Sequence, residues 1–146
     1  MKSYLYILLS LLLFPADVFP QRVTIHHLDV AQGDATLIRT SNGKAILIDA
    51  GDTGKGEDVI LPYLHNLGIT SLDYLIASHY HSDHIGAIDE IVQGLSPDSI
   101  RTVLDRGSTP QLPTSKAFRQ YWSAAQSTSR HQTVYLGQSI KLKLSQ

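Results

Sequence analysis

Residues 78–84 read Ser78-His79-Tyr80-His81-Ser82-Asp83-His84, so three of the chain's seven histidines fall within six positions. On an extended stretch, residues i, i+2 and i+4 project from one side. His79, His81 and Asp83 therefore share a side, while Tyr80 and Ser82 point away. His84 opens the helix that follows and can turn back toward the same point. Neutral imidazole and carboxylate are good ligands for zinc, iron or manganese. Core packing is a poor rival explanation, because it would have to bury three imidazoles side by side. The chain has no cysteine, which excludes a disulfide framework and a thiolate zinc site, so any metal must be held by nitrogen and oxygen.

The elements around this loop are legible from hydrophobic periodicity and turn chemistry. Residues 22–30 read as a strand rich in Val, Ile, Thr and Leu, followed by a turn around Gly33. Two short apolar strands, 35–39 and 45–48, are joined across Asn42-Gly43, a strong hairpin signal. The chain thus opens with an antiparallel meander. A glycine-rich loop with Gly51, Gly54 and Gly56 leads into a helix at 58–66, with Pro62 near its first turn and Gly68 as its stop. Residues 72–77 form a buried strand that delivers the histidine loop. A helix is expected at 84–93, closed by Gly94, then a strand at 99–104. Another helix spans 114–126 with Thr114 as N-cap, and Phe118, Tyr121, Trp122 and Ala125 form its core stripe. A last hairpin pairs 133–136 with 139–144 across Gly137-Gln138. The sequence stops two residues later in mid-sheet, the pattern of a truncated domain.

Composition fits a single globular domain, with 42% hydrophobic and 17% charged residues over 146 positions. Residues 1–20 differ from the rest. Lys2 precedes an apolar run from Leu5 to Phe14, and Pro15 and Pro20 then stop any helix. About twenty apolar residues are needed to cross a bilayer, so the segment reads as a secretory signal peptide, not a stable membrane anchor, and the protein as exported to the periplasm or beyond. The net charge of −1 conceals an asymmetry. Residues 21–98 carry four basic and eleven acidic residues, and residues 99–146 carry seven basic and one acidic. A basic half can meet a polyanion, although lysines and arginines scattered over a solvated surface give the same balance.

Further motifs follow the same order as a known family. His-x-His-x-Asp-His after a buried strand resembles the signature of the metallo-β-lactamase superfamily. Residues 28–35, Leu-Asp-Val-Ala-Gln-Gly-Asp-Ala, resemble the Asp-Val-Gly-Gln-Gly-Asp motif of its ComEC-like branch. Leu47-Ile48-Asp49-Ala50-Gly51 is similar to the superfamily's first motif, and Asp83-His84-Ile85-Gly86 continues the signature. The likeness covers residues 21–146, with Ala31 and Ala87 standing where the branch usually has Gly. It implies a four-layer αββα sandwich, of which residues 21–146 form the N-terminal part. His79 and His81 would help hold a first metal, and Asp83 and His84 a second. Asp49 would stand behind them and orient a ligand, and Gln32 and Asp34 would lie near the rim. The family's remaining ligands, from the second half of the domain, have no match here, and Asp105 and His131, the later candidates, do not sit in the family's context.

The chemistry implied is hydrolysis by metal-activated water. Two ions, zinc or manganese, would lower the pKa of a bound water toward about 7 and stabilise the developing charge. Asp83, an acceptor-only carboxylate, is the candidate catalytic residue that orients that water. The ComEC-like branch points to a phosphodiester or nucleic acid as substrate. One rival is a lactam, lactone or thioester hydrolase on the same scaffold, and another is a truncated binding protein without turnover. No protein partner is implied. Gly51-Asp52-Thr53-Gly54-Lys55-Gly56 is not a Walker loop, because Asp49 stands where its first Gly belongs and Gly56 where Ser or Thr must follow the Lys. His26 and His27 read as strand histidines, His65 as solvent-facing, and Asp73 as a cap before the buried strand.

Overall fold

The computed structural model describes residues 22–108, 111–140 and 142. The expected signal segment lies outside these residues, as does part of the last expected strand. Six strands form one sheet in sequence order: β1 (Val23–His27), β2 (Thr36–Thr40), β3 (Ala45–Ile48), β4 (Tyr74–Ile76), β5 (Val103–Asp105) and β6 (His131–Thr133). The first three pair antiparallel and the rest parallel. The change of direction follows from the connections. Short turns can only reverse a strand, whereas β3–β4, β4–β5 and β5–β6 are separated by helices that carry the chain back to its starting edge. At the Asn42-Gly43 turn, Gly43 takes φ 83°, and Thr40 N–H donates to the Lys44 carbonyl at 2.9 Å.

Between β3 and β4 a π-helical turn, Gly56–Ile60, runs into α1 (Leu61–Asn66). Pro62 sits in the first turn of α1, and Gly68, at φ 69°, ends it. The helix expected at 84–93 is two: α2 (Ser82–Ile85) and α3 (Ile88–Leu95). They break at Gly86, where a Cβ would lie 2.4 Å from the Ser82 carbonyl and 2.6 Å from Thr53 N. Gly94 does not close α3. It lies inside the helix because the Leu61 side chain occupies the place of its Cβ, at 2.3 Å, and the chain turns at Ser96 instead. α4 (Lys116–Ser127) is capped by Ser115, not Thr114: the Ser115 hydroxyl accepts from Phe118 N–H. The last strand is earlier than expected, at His131–Thr133, where it adds to β5 in parallel; among the described residues 134–140 there is no strand.

The helices pack on one face of the sheet. Leu37, Leu47, Leu75 and Val103 point into a core closed by Leu64, Ile88, Ile91, Phe118 and Tyr121, all buried. α3 lies between the 56–66 helical segment and α4. On the opposite face Ile25, Ile38, Ile46 and Tyr74 stand in register across four strands. Ile25 there is 57% exposed, and Ile38 and Tyr74 are half-buried.

Three polar devices fasten this frame. The Glu90 carboxylate on α3 accepts from the backbone N–H groups of Gly54, Gly56 and Glu57, at 2.6, 2.9 and 3.3 Å. It supplies an anion to donors that have no partner within their own helix. Asp73 accepts from Ala45 N–H at 3.1 Å and Lys44 Nζ at 3.0 Å, which ties the start of β4 to β3. Asp105, fully buried at the end of β5, accepts from His131 Nε2 at 2.7 Å, Gly107 N–H at 2.8 Å and the Tyr121 hydroxyl. Burial pushes the Asp105 carboxyl up, but the bonds from His131, Tyr121 and Gly107 outweigh it and hold the group below the ordinary carboxylate value.

Two consequences can be measured. A folded-state pKa lowered in this way adds stability above the unfolded carboxylate value of about 3.9, and the contribution is lost as pH falls through the lower folded value. Asp105→Asn should therefore cost about 3 kcal/mol at pH 7. In urea titrations its deficit relative to wild type should shrink as pH is lowered below about 4. Ala31 sits at φ 62°, a conformation that penalises any Cβ. Ala31→Gly should raise the urea midpoint at unchanged slope, a gain in unfolding free energy of about 0.5–1 kcal/mol after the loss of chain entropy is counted.

Candidate metal centre

β4 ends at Ile76, and the loop that leaves it passes directly over the end of β3. Asp49, the residue after β3, adopts φ 57°, which aspartate tolerates better than most residues. Its N–H donates to the Ile76 carbonyl at 2.8 Å, and its buried carboxylate faces the histidine loop. Oδ1 accepts from Ser78 N–H at 2.8 Å. Oδ2 accepts from the Ser78 hydroxyl at 2.5 Å and pairs with His84 Nδ1 at 2.8 Å.

These bonds fix the protons of three rings. An ionised carboxylate only accepts, so His84 Nδ1 must donate, and the neutral ring keeps its lone pair on Nε2. Ser78 gives its hydroxyl proton to Asp49, so its oxygen accepts from His79 Nδ1, 3.0 Å away. The lone pair of His79 then lies on Nε2, which accepts from His81 Nδ1 at 3.1 Å. His81 in turn is left with Nε2 as its basic nitrogen. One carboxylate thereby sets the tautomers of His84, His79 and His81 in sequence.

The loop brings all four expected residues to one place. The rings of His79 and His81 have centroids 4.7 Å apart, and those of His79 and His84 4.0 Å apart. Asp83 Oδ2 lies 3.9 Å from His84 Nε2. Burial, then the neighbouring His84 and His81, lower the pKa of His79, which favours the neutral form that ligates metals. Among the described residues no three His, Asp or Glu side chains stand as a ready cation cage; His79 and His81 turn their nitrogens on each other. The donor set nevertheless fits a borderline divalent cation, with three imidazoles and a half-buried carboxylate supplied by one loop. A cation there would be held by His79 Nε2 and, once the His81 ring turns, by the basic Nε2 of His81, which keeps its Nδ1 proton.

Backbone packing holds the loop in place. A Cβ on Gly33 would lie 1.9 Å from the Asp83 carbonyl, which shows how closely the 31–34 turn is pressed against it. Asp34 N–H donates to that carbonyl at 3.3 Å, and the Asp34 carbonyl accepts from Gly51 N–H at 2.9 Å. The Asp34 side chain and Gln32 are exposed at this turn. Asp105 and His131 lie together in the joint between β5, α4 and β6, bonded to each other. His26 turns inward to the Tyr63 hydroxyl at 2.9 Å, His27 meets Thr36 at the surface, and His65 is exposed.

A cavity of about 650 Å³ opens over the loop, lined by His79, Tyr80, His81, Asp83, Arg106 and Ser115 among others. Sequence reasoning missed two participants. Ser78 relays Asp49 to His79, and its place directly before the first histidine was the only available signal. Arg106 reaches the cavity from the far end of β5, and no local pattern announces it.

Comparison with known proteins accords with this geometry. The profile of the metallo-beta-lactamase superfamily matches residues 28–119, more than half of the chain. Competence protein ComA of Neisseria gonorrhoeae is 36% identical over 63 residues, which is 43% of this chain and 9% of that protein. ComE operon protein 3 of Bacillus subtilis is 29% identical over 98 residues, 56% of this chain and 13% of that protein. The chain thus spans only about a tenth of the length of these curated relatives. The crystal structure of the metallo-beta-lactamase SMB-1, in a complex with mercaptoacetic acid, superposes with a TM-score of 0.55 at 20% identity, over 82% of this chain and 46% of that one. The similarity to ComA and ComE operon protein 3 supports the ComEC-like branch, and the breadth of the profile match, with the histidine loop inside it, shows that this chain belongs to the metallo-beta-lactamase superfamily.

Proposed function

We propose that this chain is part of an exported metal-dependent hydrolase that cuts phosphodiesters, with nucleic acid as the substrate class. The observation that carries the reading is the convergence of three imidazoles oriented from Asp49, two of which, His79 and His81, line one cavity together with the Asp83 carboxylate. His79, His81, Asp83 and His84 would hold one or two divalent cations, zinc or manganese. Bound there, such an ion supplies hydroxide near neutral pH and a positive charge that offsets charge developing on the phosphate. The chain's own groups supply the positioning. Asp49 fixes the ring of His84 directly and that of His79 through Ser78. Asp83 accepts a hydrogen bond from the attacking water and orients it.

The choice of a phosphodiester is supported by the similarity to a competence protein and by the basic balance of residues 99–146. No helix among the described residues is long and apolar enough to cross a membrane, and export rests on the character of residues 1–20.

The reading is tested by loading the purified chain with zinc or manganese and offering it DNA and a chromogenic lactam. DNA cleavage that strengthens as salt is lowered is the expected result. Turnover of the lactam with no action on DNA would overturn it in favour of carbonyl hydrolysis. Two variants test the residues. Replacing both His79 and His81 by Ala should remove most of the bound metal, read as moles of metal per mole of folded protein. Asp83→Asn should lower kcat by about 100-fold or more while changing substrate affinity little, in line with the usual loss of a general base. Equal losses in both would count against that role, and a loss of affinity with kcat unchanged would assign Asp83 to binding alone.

A further inference from the structure

We propose that Arg106 is the substrate-recognising cation of this site, and that its guanidinium grips the two non-bridging oxygens of a phosphodiester lying across His79, His81 and Asp83. The inference rests on the phosphodiesterase reading and adds to it a named specificity determinant.

Arg106 follows the last residue of β5, in a turn held at both ends. Asp105 Oδ1 accepts from Gly107 N–H at 2.8 Å, and the Gly107 carbonyl accepts from the Tyr80 hydroxyl at 3.0 Å. Gly107 takes φ 74°, and a Cβ there would lie 2.6 Å from Thr133 Oγ1, so the turn has no room to shift toward β6. The guanidinium carbon lies 4.4 Å from the centre of the Tyr80 ring, and Nη2 donates to the Gln111 carbonyl at 3.0 Å. Tyr80 is itself buried, with Phe118 and Tyr121 at 4.9 and 5.6 Å between ring centres. The arginine head is therefore seated on a rigid aromatic floor, and little side-chain freedom remains to be lost when an anion arrives.

Its position decides what it can meet. Among the described residues that line the cavity over His79, His81 and Asp83, Arg106 is the one lysine or arginine. A planar guanidinium offers parallel donors at the spacing of two phosphate oxygens, which the point charge of a lysine does not reproduce. Tyr80 alternates with the two histidines, so the residue that supports Arg106 lies between the residues expected to hold metal. Recognition and chemistry thereby share one strip of backbone.

The test uses the metal-free full chain, so that binding is read without turnover. Its probes are the thymidine dinucleotide and the same dinucleotide with a neutral methylphosphonate link, and affinity is followed by NMR shift titration. Wild type should bind the charged probe at least about tenfold more tightly than the neutral one. Arg106→Gln should bind both alike, and Arg106→Lys should keep only part of the preference. A full preference in Arg106→Gln, or none in wild type, overturns the proposal. Should Arg106→Gln fail to fold, Arg106→Lys decides, because a preference equal to that of wild type removes the case for fork-like recognition. The two readings fail separately. A preference that depends on Arg106 in a chain whose metal-loaded form cuts no DNA would sink the phosphodiesterase reading alone. DNA cleavage with undiminished affinity in Arg106→Gln would sink this one alone.

Discussion

The carboxylate of Asp49 is the interaction on which the site depends. It is buried, can only accept, and faces donors from two places in the next motif, Ser78 and His84. Proton positions on three imidazoles follow from that single constraint. The backbone there is left-handed at φ 57°, a conformation that glycine would take without penalty. Glycine has no carboxylate, however, so the site keeps a mildly strained aspartate where relaxation would disconnect the rings. Such strain is tolerated only where the surroundings enforce it. Here the Asp49 N–H bond to β4 and the packing of Ala50 and Gly51 behind it do so.

Around that carboxylate the chain uses close backbone contact in place of long side chains. Gly33 presses on Asp83, Gly86 on Thr53 and Ser82, and Gly56 on Glu90. Each glycine makes room for the neighbouring segment, and Gly33 also takes φ 108°, so loops rich in glycine can still be closely packed. The Glu90 carboxylate completes the arrangement by occupying the amides of the glycine-rich loop. A nest that resembles an anion site in outline is already filled from within.

Much of this was readable before any coordinates. The histidine cluster, the meander, the Asn42-Gly43 turn and the core stripe of α4 all follow from local rules of period and turn chemistry, and the structure has them. The errors have a common cause. Gly94 has the pattern of a helix stop, yet it is small because Leu61 needs its space. The strand expected from Thr133 lies instead at His131–Thr133, because β5 offers an edge and Asp105 a partner for His131. Arg106 was silent because its meaning lies in Tyr80, a neighbour only after β4 and β5 have paired. Local sequence reports local geometry, and contacts across parallel strands are not local.

The sheet itself has a last implication. One-sided antiparallel sheets alternate apolar and polar residues, whereas sheets covered on both sides run apolar throughout. Ile25, Ile38, Ile46 and Tyr74 line up on the face away from the helices, so this sheet is apolar on both faces. It has the character of an interior wall. A second sheet stacked on it would lie about 10 Å away, and every square ångström of apolar surface dried by that contact would return about 25 cal/mol. In that geometry the histidine loop would lie not on an outer surface but at the seam where two layers meet.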